Sequence, residues 1–371
     1  MLFRSAGGTK TRWGTQRIAD GQTNAWLDEF DRIYLECGNE TWNYMFQPRA
    51  WAGAPLTYSA VATYFCGQFQ QHPNFDANKI KLIANGWGVS AGTWTRPVAA
   101  STPDADIIDV AYYIGGWDGV NIPGNNDADY FQEQLMYTPR IIEPYIAESM
   151  AALQDAGNGQ QIAMYEGGPG YPVPNPGQPF DPESEYYSKS HALGVATLDF
   201  FINMAYNGFA EMEYFLYRAG HNWASHSDYL NRRDHASWLA LKMYNQYCSG
   251  DFLALDRSHV RLVDLPARSG HKKTSDGSVI PTTVPAADDV PMVVGYTLQD
   301  GARFSYVFIS REIALTNQVR IITPYTPSNR VEIYSLCAMP EAKNTYSNEV
   351  LIVTNIFSNF TSNYVFSLPP C

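Results

Sequence analysis

Between residues 32 and 247 short apolar runs alternate with helical patterns. This alternation predicts an α/β fold: an incomplete (β/α)-barrel, its strands four to eight, followed by a small antiparallel β-sandwich. Two further observations point the same way. Each strand-like run ends in Gly together with an aromatic or acidic residue, the pattern of a barrel whose function gathers on its C-terminal rim. Past about residue 250 the helical period disappears and short alternating runs replace it. An open doubly wound sheet is the competing arrangement, but no glycine-rich phosphate fingerprint follows any strand.

Taken in order, a helical turn at 25–30 leads into a strand at 32–37. A helical pattern through Val61, Tyr64, Phe65 and Phe69 covers 53–71. Strands at 79–84 and 106–114 run into Asn85-Gly86-Trp87-Gly88 and Gly115-Gly116-Trp117-Asp118-Gly119. An amphipathic helix is expected over 131–156, then a strand over 161–165 that Glu166 ends. A Gly/Pro loop over 167–182 precedes a strong helix at 187–206, a strand at 210–217 and a helix at 235–247. Counting the strand at 210–217 as the eighth makes the strand at 32–37 the fourth. The chain is therefore expected to enter the barrel at strand four, with the first three strands missing or supplied elsewhere.

Residues 1–250 form the partial barrel in this reading, and residues 251–371 a linker plus the sandwich. The linker at 263–289 is charged, contains Gly and Pro, and reads as a weakly patterned surface connection. Sandwich strands are expected at 290–296, 305–309, 317–322, 330–336, 349–355 and 364–368, separated by turn residues such as Gln299-Asp300-Gly301.

Composition narrows the function classes. A formal charge of −12 and the lack of any basic stripe argue against nucleic acid as a partner. No run of 18 apolar residues exists, so no membrane span is expected, and residues 1–12 carry no apolar signal core. Five cysteines, an odd count that excludes complete internal pairing, show neither a CxxC nor a Cys/His metal pattern. No metal, cofactor or protein partner is implied; Cys37, inside a strand, reads as a packed free thiol. Aromatic residues make up 14% of the chain, many beside Gly, Asn or Asp, which suits either ordinary packing or platforms for sugar rings.

The chemistry concentrates at two places. Gly38-Asn39-Glu40-Thr41-Trp42-Asn43 follows the first strand, and Tyr165-Glu166-Gly167-Gly168 follows the strand at 161–165. Two glutamates, each at the mouth of its own strand, match the needs of retaining glycoside hydrolysis. That reaction requires an acid for the leaving oxygen and a carboxylate for the oxocarbenium-like carbon, about 5–5.5 Å apart. The plainer alternatives are a helix-entry acid for Glu40 and a loop acid bonded to glycine amides for Glu166. Candidate substrate-binding side chains are Trp42, Trp87, Tyr113, Trp117, His221 and Trp223, with Tyr113 placed to reach Glu166. Each single ring also has a reading as packing. Glu36, Glu211 and Glu213 are expected to face the barrel interior, Glu36 beside Arg32 or another base. His191, His226 and His235 read as structural or solvated, and no G-x-S-x-G elbow is present.

These motifs resemble clan A of the glycoside hydrolases. There the acid/base is the Glu of an Asn-Glu pair after strand four, and the nucleophile is a Glu after strand seven. The resemblance covers residues 26–250, and the C-terminal part is similar to the β-domain that often follows such barrels. It implies Glu40 as acid/base, Glu166 as nucleophile, and Asn39 as a hydrogen-bond partner of the sugar 2-hydroxyl. It also implies an oligo- or polysaccharide substrate and a secreted or periplasmic setting. A non-catalytic carbohydrate-binding protein on a degenerate or truncated barrel is the alternative from another class. A metal-dependent barrel enzyme would need clustered His and Asp at strand ends, which the sequence lacks.

Overall fold

The computed structural model describes residues 12–24, 26–43, 46, 52–115, 127–170, 184–217, 223–227, 232–273 and 278–371. The chain divides into two compact units. One comprises residues 1–111, 145–165 and 209–211, the other residues 112–144, 166–208 and 212–371.

Five strands lie in chain order in one sheet: β1 (Ile33–Glu36), β2 (Ile80–Asn85), β3 (Ile107–Ile114), β4 (Gln161–Pro169) and β5 (Met212–Tyr214). They are parallel and curl into half a barrel, with antiparallel sheets following as a β-domain. Parallel neighbours need long crossovers, and helices supply them. Pro55–Gln70 lies between β1 and β2, Arg96–Ser101 between β2 and β3, Glu143–Ala156 between β3 and β4, and His191–Tyr206 between β4 and β5.

In the first unit, Pro55–Gln70 starts with proline in its first turn, where a missing N–H costs nothing. Tyr58, Ala62 and Cys66, four residues apart, form its buried stripe. They pack with Ile80, Leu82 and Ala84 of β2 and with Val98 and Ala99 of the next helix. β2 is buried along most of its length, as expected for a strand covered on both faces.

In the second unit, Ser190 caps His191–Tyr206, its hydroxyl accepting from the Leu193 amide at 3.2 Å. This helix is buried almost all round. Gly194 lets helix Ala236–Tyr247 approach closely: a Cβ there would lie 2.7 Å from the Ala236 Cβ. Arg311, fully buried, makes a two-pronged pair with Asp199 of His191–Tyr206 at 2.7 and 3.1 Å.

Among the described residues eleven further strands form separate sheets. β6 (Asp251–Leu253), β11 (Val293–Asp300) and β12 (Arg303–Ser310) make one of three strands. The two-stranded ribbons pair β7 (Leu262–Leu265) with β10 (Ala287–Pro291), and β8 (Arg268–Lys273) with β9 (Val279–Val284). They also pair β13 (Asn317–Ile322) with β16 (Asn363–Leu368), and β14 (Val331–Leu336) with β15 (Ile352–Phe357).

Several expected boundaries change. Residues 263–289 are not an unpatterned connection but hold β7 to β10. Strands such as RSGHKK are polar in sequence, so pairing rather than hydrophobic pattern defines them. The helix expected over 131–156 is interrupted by a π-turn at Thr138–Ile142. Pro139 cannot donate in an α-helical ladder. The wider turn sets the buried Arg140 against the Pro266 and Pro285 carbonyls, each 2.9 Å away. The strand expected at 210–217 shrinks to β5, because Leu216 leaves the sheet and pairs with Trp223 and Ser225. β4 instead runs on past Tyr165, so Glu166 lies inside the strand rather than at its end. Among the described residues no helix is long and apolar enough to cross a membrane.

Candidate active site

β1 ends at Glu36 and the chain turns sharply. Gly38 has φ 87° and Glu40 has φ 41°. A non-glycine residue in the left-handed region carries backbone strain, and such residues cluster at functional sites. The turn is closed by the Asn43 amide donating to the Glu40 carbonyl at 2.7 Å. Glu40 is only 7% exposed, so both its oxygens need partners. Oε1 accepts from the Tyr165 hydroxyl at 2.9 Å and Oε2 from Asn43 Nδ2 at 2.5 Å. Asn39, beside it, is exposed.

Beneath this turn lies a polar hub. The Asn85 side chain is buried at the end of β2; its Nδ2 donates to Glu36 Oε1 and Asp109 Oδ1, each at 3.2 Å. Its Oδ1 accepts from the Thr41 amide at 3.3 Å. The Tyr58 hydroxyl accepts from the Asn85 amide at 2.6 Å and donates to the Cys37 carbonyl at 2.8 Å. Burial pushes the Tyr58 phenol well above its ordinary range, so it stays neutral in this role. The Gly86 amide bonds to the Asp109 carbonyl at 2.7 Å, and a Cβ at Gly86 would collide with that oxygen. Trp42 donates through Nε1 to the Gly86 carbonyl at 3.0 Å and stacks on Trp87, ring centroids 4.8 Å apart and 4° from parallel. The structure thus brings Trp42 and Trp87 together as one half-buried platform.

In the other unit the Tyr113 hydroxyl donates to Glu166 Oε1 at 2.8 Å. Tyr113 meets Phe215 edge-on, and Phe215 in turn meets Trp223 edge-on. The glycines after Glu166 have separate reasons. Gly168, at φ 142°, faces the Tyr214 ring. Gly170 donates to the Ile114 carbonyl, and a Cβ there would lie 2.5 Å from the Gly115 carbonyl oxygen. Trp117 and His221 lie outside the described residues, as does the Gly/Pro loop from residue 171 onward.

The remaining acids differ from expectation. Arg32 pairs with Glu211, at 3.8 Å, rather than with Glu36, and the Tyr34 hydroxyl also donates to Glu211. Glu211 and Glu213 are exposed rather than buried in a barrel interior. Two histidines are buried and held neutral. Burial lowers His191 to about 4, and lowers His235 to about 3 with help from the Lys189 and His226 charges. His226 pairs with Asp234 at 2.9 Å. Among the described residues no group of three or more His, Cys, Asp or Glu side chains is placed to hold a metal ion. Sequence reasoning missed Tyr165 and Asn43 as partners of Glu40, and Asn85 as the hub. The available signal was local: Tyr165 adjoins Glu166, and Asn43 lies three residues past Glu40 in the same turn.

No protein-family model matches the chain, and no curated protein matches it. Solved structures do. An α-L-arabinofuranosidase from Thermotoga maritima, in its arabinose complex, superposes with a TM-score of 0.73 at 12% identity; the match covers 100% of this chain and 70% of that one. A GH51 arabinofuranosidase from Xanthomonas axonopodis pv. citri gives a TM-score of 0.64 at 16% identity, covering 98% and 71%. A family 44 xyloglucanase from Paenibacillus polymyxa gives 0.56 at 11%, covering 93% and 67%. The fold of this chain, a (β/α) half-barrel followed by an antiparallel β-domain, is thus similar to part of these glycoside hydrolases.

Proposed function

We propose that this protein is a retaining glycoside hydrolase with Glu40 as acid/base and Glu166 as nucleophile. The observation that carries the reading is the setting of the two glutamates. Each stands in the C-terminal part of the parallel sheet, one after β1 and one within β4, and each accepts a tyrosine hydroxyl on one oxygen. Parallel α/β sheets place their chemistry at these strand ends. The left-handed backbone at Glu40 supports it independently.

In the mechanism, Glu166 attacks the anomeric carbon while Glu40 gives its proton to the leaving glycosidic oxygen. A glycosyl ester on Glu166 results. Glu40, now a carboxylate, takes a proton from water, and that water releases the sugar and frees Glu166. The Tyr113 hydroxyl orients the nucleophile. Asn39 is assigned to the sugar 2-hydroxyl, and Trp42, Trp87, Trp117, His221 and Trp223 to substrate contact. Residues 1–250 form the catalytic part and residues 251–371 the linker and β-domain. The fold neighbours make α-L-arabinofuranosides and xyloglucan the first substrates to try.

The test is hydrolysis of a panel of aryl glycosides, including α-L-arabinofuranosides, with product anomers followed by NMR. Glu166→Ala is expected to lose about a thousandfold or more in kcat, and azide to restore turnover with an inverted glycosyl azide. Products of inverted configuration from the wild type would refute the retaining route. Glycan binding without turnover, equal in wild type and Glu166→Ala, would mean a carbohydrate-binding protein instead.

A further inference from the structure

We infer that Tyr165 and Asn43 divide the two oxygens of Glu40 between them, so that the transferable proton resides on Oε1 and Tyr165 is a positioning residue for its delivery. The inference rests on the acid/base role proposed for Glu40.

The geometry is specific. Glu40 is buried, and its backbone is pinned by the turn bond from the Asn43 amide. Its two carboxyl oxygens have different partners. Asn43 Nδ2, on Oε2 at 2.5 Å, is a donor and nothing else. The Tyr165 hydroxyl, on Oε1 at 2.9 Å, both donates and accepts. When Glu40 carries a proton, Oε2 must remain the acceptor, because a proton there would oppose the amide N–H. Oε1 is left as the protonated oxygen. The Tyr165 oxygen accepts from it, or rotates its hydroxyl away, until the leaving glycosidic oxygen takes the proton. Once Glu40 is ionised, Tyr165 donates to a full carboxylate, and that bond is about twice as strong as its neutral counterpart. The Tyr165 contact therefore strengthens as the proton leaves, which lowers the barrier of the step that needs acid catalysis.

A purely structural tyrosine has no such dependence on the leaving group, and this separates the two roles. Activated dinitrophenyl glycosides leave without a proton; alkyl glycosides need one. In Tyr165→Phe, kcat/KM on an alkyl glycoside is expected to fall roughly tenfold further than on the dinitrophenyl glycoside. Asn43→Ala is expected to show the same skew and carries the comparison should Tyr165→Phe fail to fold, as judged by its thermal melt. Equal losses on both substrates, with Glu40→Ala still selective for the activated one, would overturn this inference alone. A Glu40→Ala variant with no leaving-group selectivity, or an inert wild type, would overturn the acid/base assignment and this inference with it.

Discussion

Stability should fall as the solution is acidified below neutrality, and His191 supplies a calculable part of that fall. The ring is buried; Nε2 lies 3.3 Å from the Leu336 carbonyl and Nδ1 lies 3.3 Å from Cys371 Sγ. The carbonyl can only accept, so Nε2 carries the proton and Nδ1 is bare. Burial pushes the Cys371 thiol up, so it stays protonated and donates to Nδ1. A second ring proton would oppose that S–H, and burial holds the folded-state value near 4 against 6.5 for a free ring. The unfolded chain therefore binds more protons than the folded one in this window. His191 leaves stability intact above the unfolded value, and stability is lost progressively as pH falls from there toward the folded value. The gap predicts a loss of about 2 kcal/mol between roughly pH 7.5 and pH 5. Urea titrations of wild type and His191→Gln at both pH values isolate it, since all other groups cancel in the difference. His191→Gln should lose about 2 kcal/mol less than wild type over that interval. An equal loss in the two proteins would refute the argument.

Three other outcomes follow from the packing. Arg311→Ala strands the buried Asp199 carboxylate and should cost about 3–5 kcal/mol in chemical denaturation. Arg311→Met with Asp199→Leu should recover most of that cost, and a double variant as unstable as the single would show that the pair is not the cause. Gly250→Ala should lower the melting temperature far more than Gly21→Ala. Both residues have positive φ, but a Cβ at Gly250 would lie 1.9 Å from the Gln299 carbonyl oxygen, whereas Gly21 faces open space. Comparable melts would contradict the clash. Trp87→Ala removes half of the stacked pair with Trp42 and is expected to raise KM for an oligosaccharide several-fold; an unchanged KM removes Trp87 from substrate binding.

Much of the barrel part was legible because its signals are local. The periods of 2 and 3.6 locate β1 to β3 and the helix Pro55–Gln70 to within a few residues. That Gly38-Asn39-Glu40 follows β1 needs only chain order, whereas Tyr165-Glu166-Gly167, expected at a strand end, lies inside β4. The β-domain was legible only in part. Its ribbons β7 to β10 include short polar strands such as RSGHKK and ADDVP, whose charged, glycine and proline residues leave little hydrophobic alternation to find.

What the sequence alone determined is the list of chemical groups and the elements that carry them: an acid after β1, another on β4, and glycines beside both. Tertiary structure decided their partners. Tyr165 reaches Glu40 across 125 positions of chain, Tyr113 reaches Glu166 across 53, and Arg32 turns to Glu211 rather than to Glu36. The glycines at 86 and 170 read as turn residues, yet each is required because another strand's carbonyl occupies the space of its Cβ. Periodicity reports what one segment does to its own surface. Hydrogen bonds and close approaches between distant segments depend on how the strands stack in the sheet, and no local pattern encodes that distance.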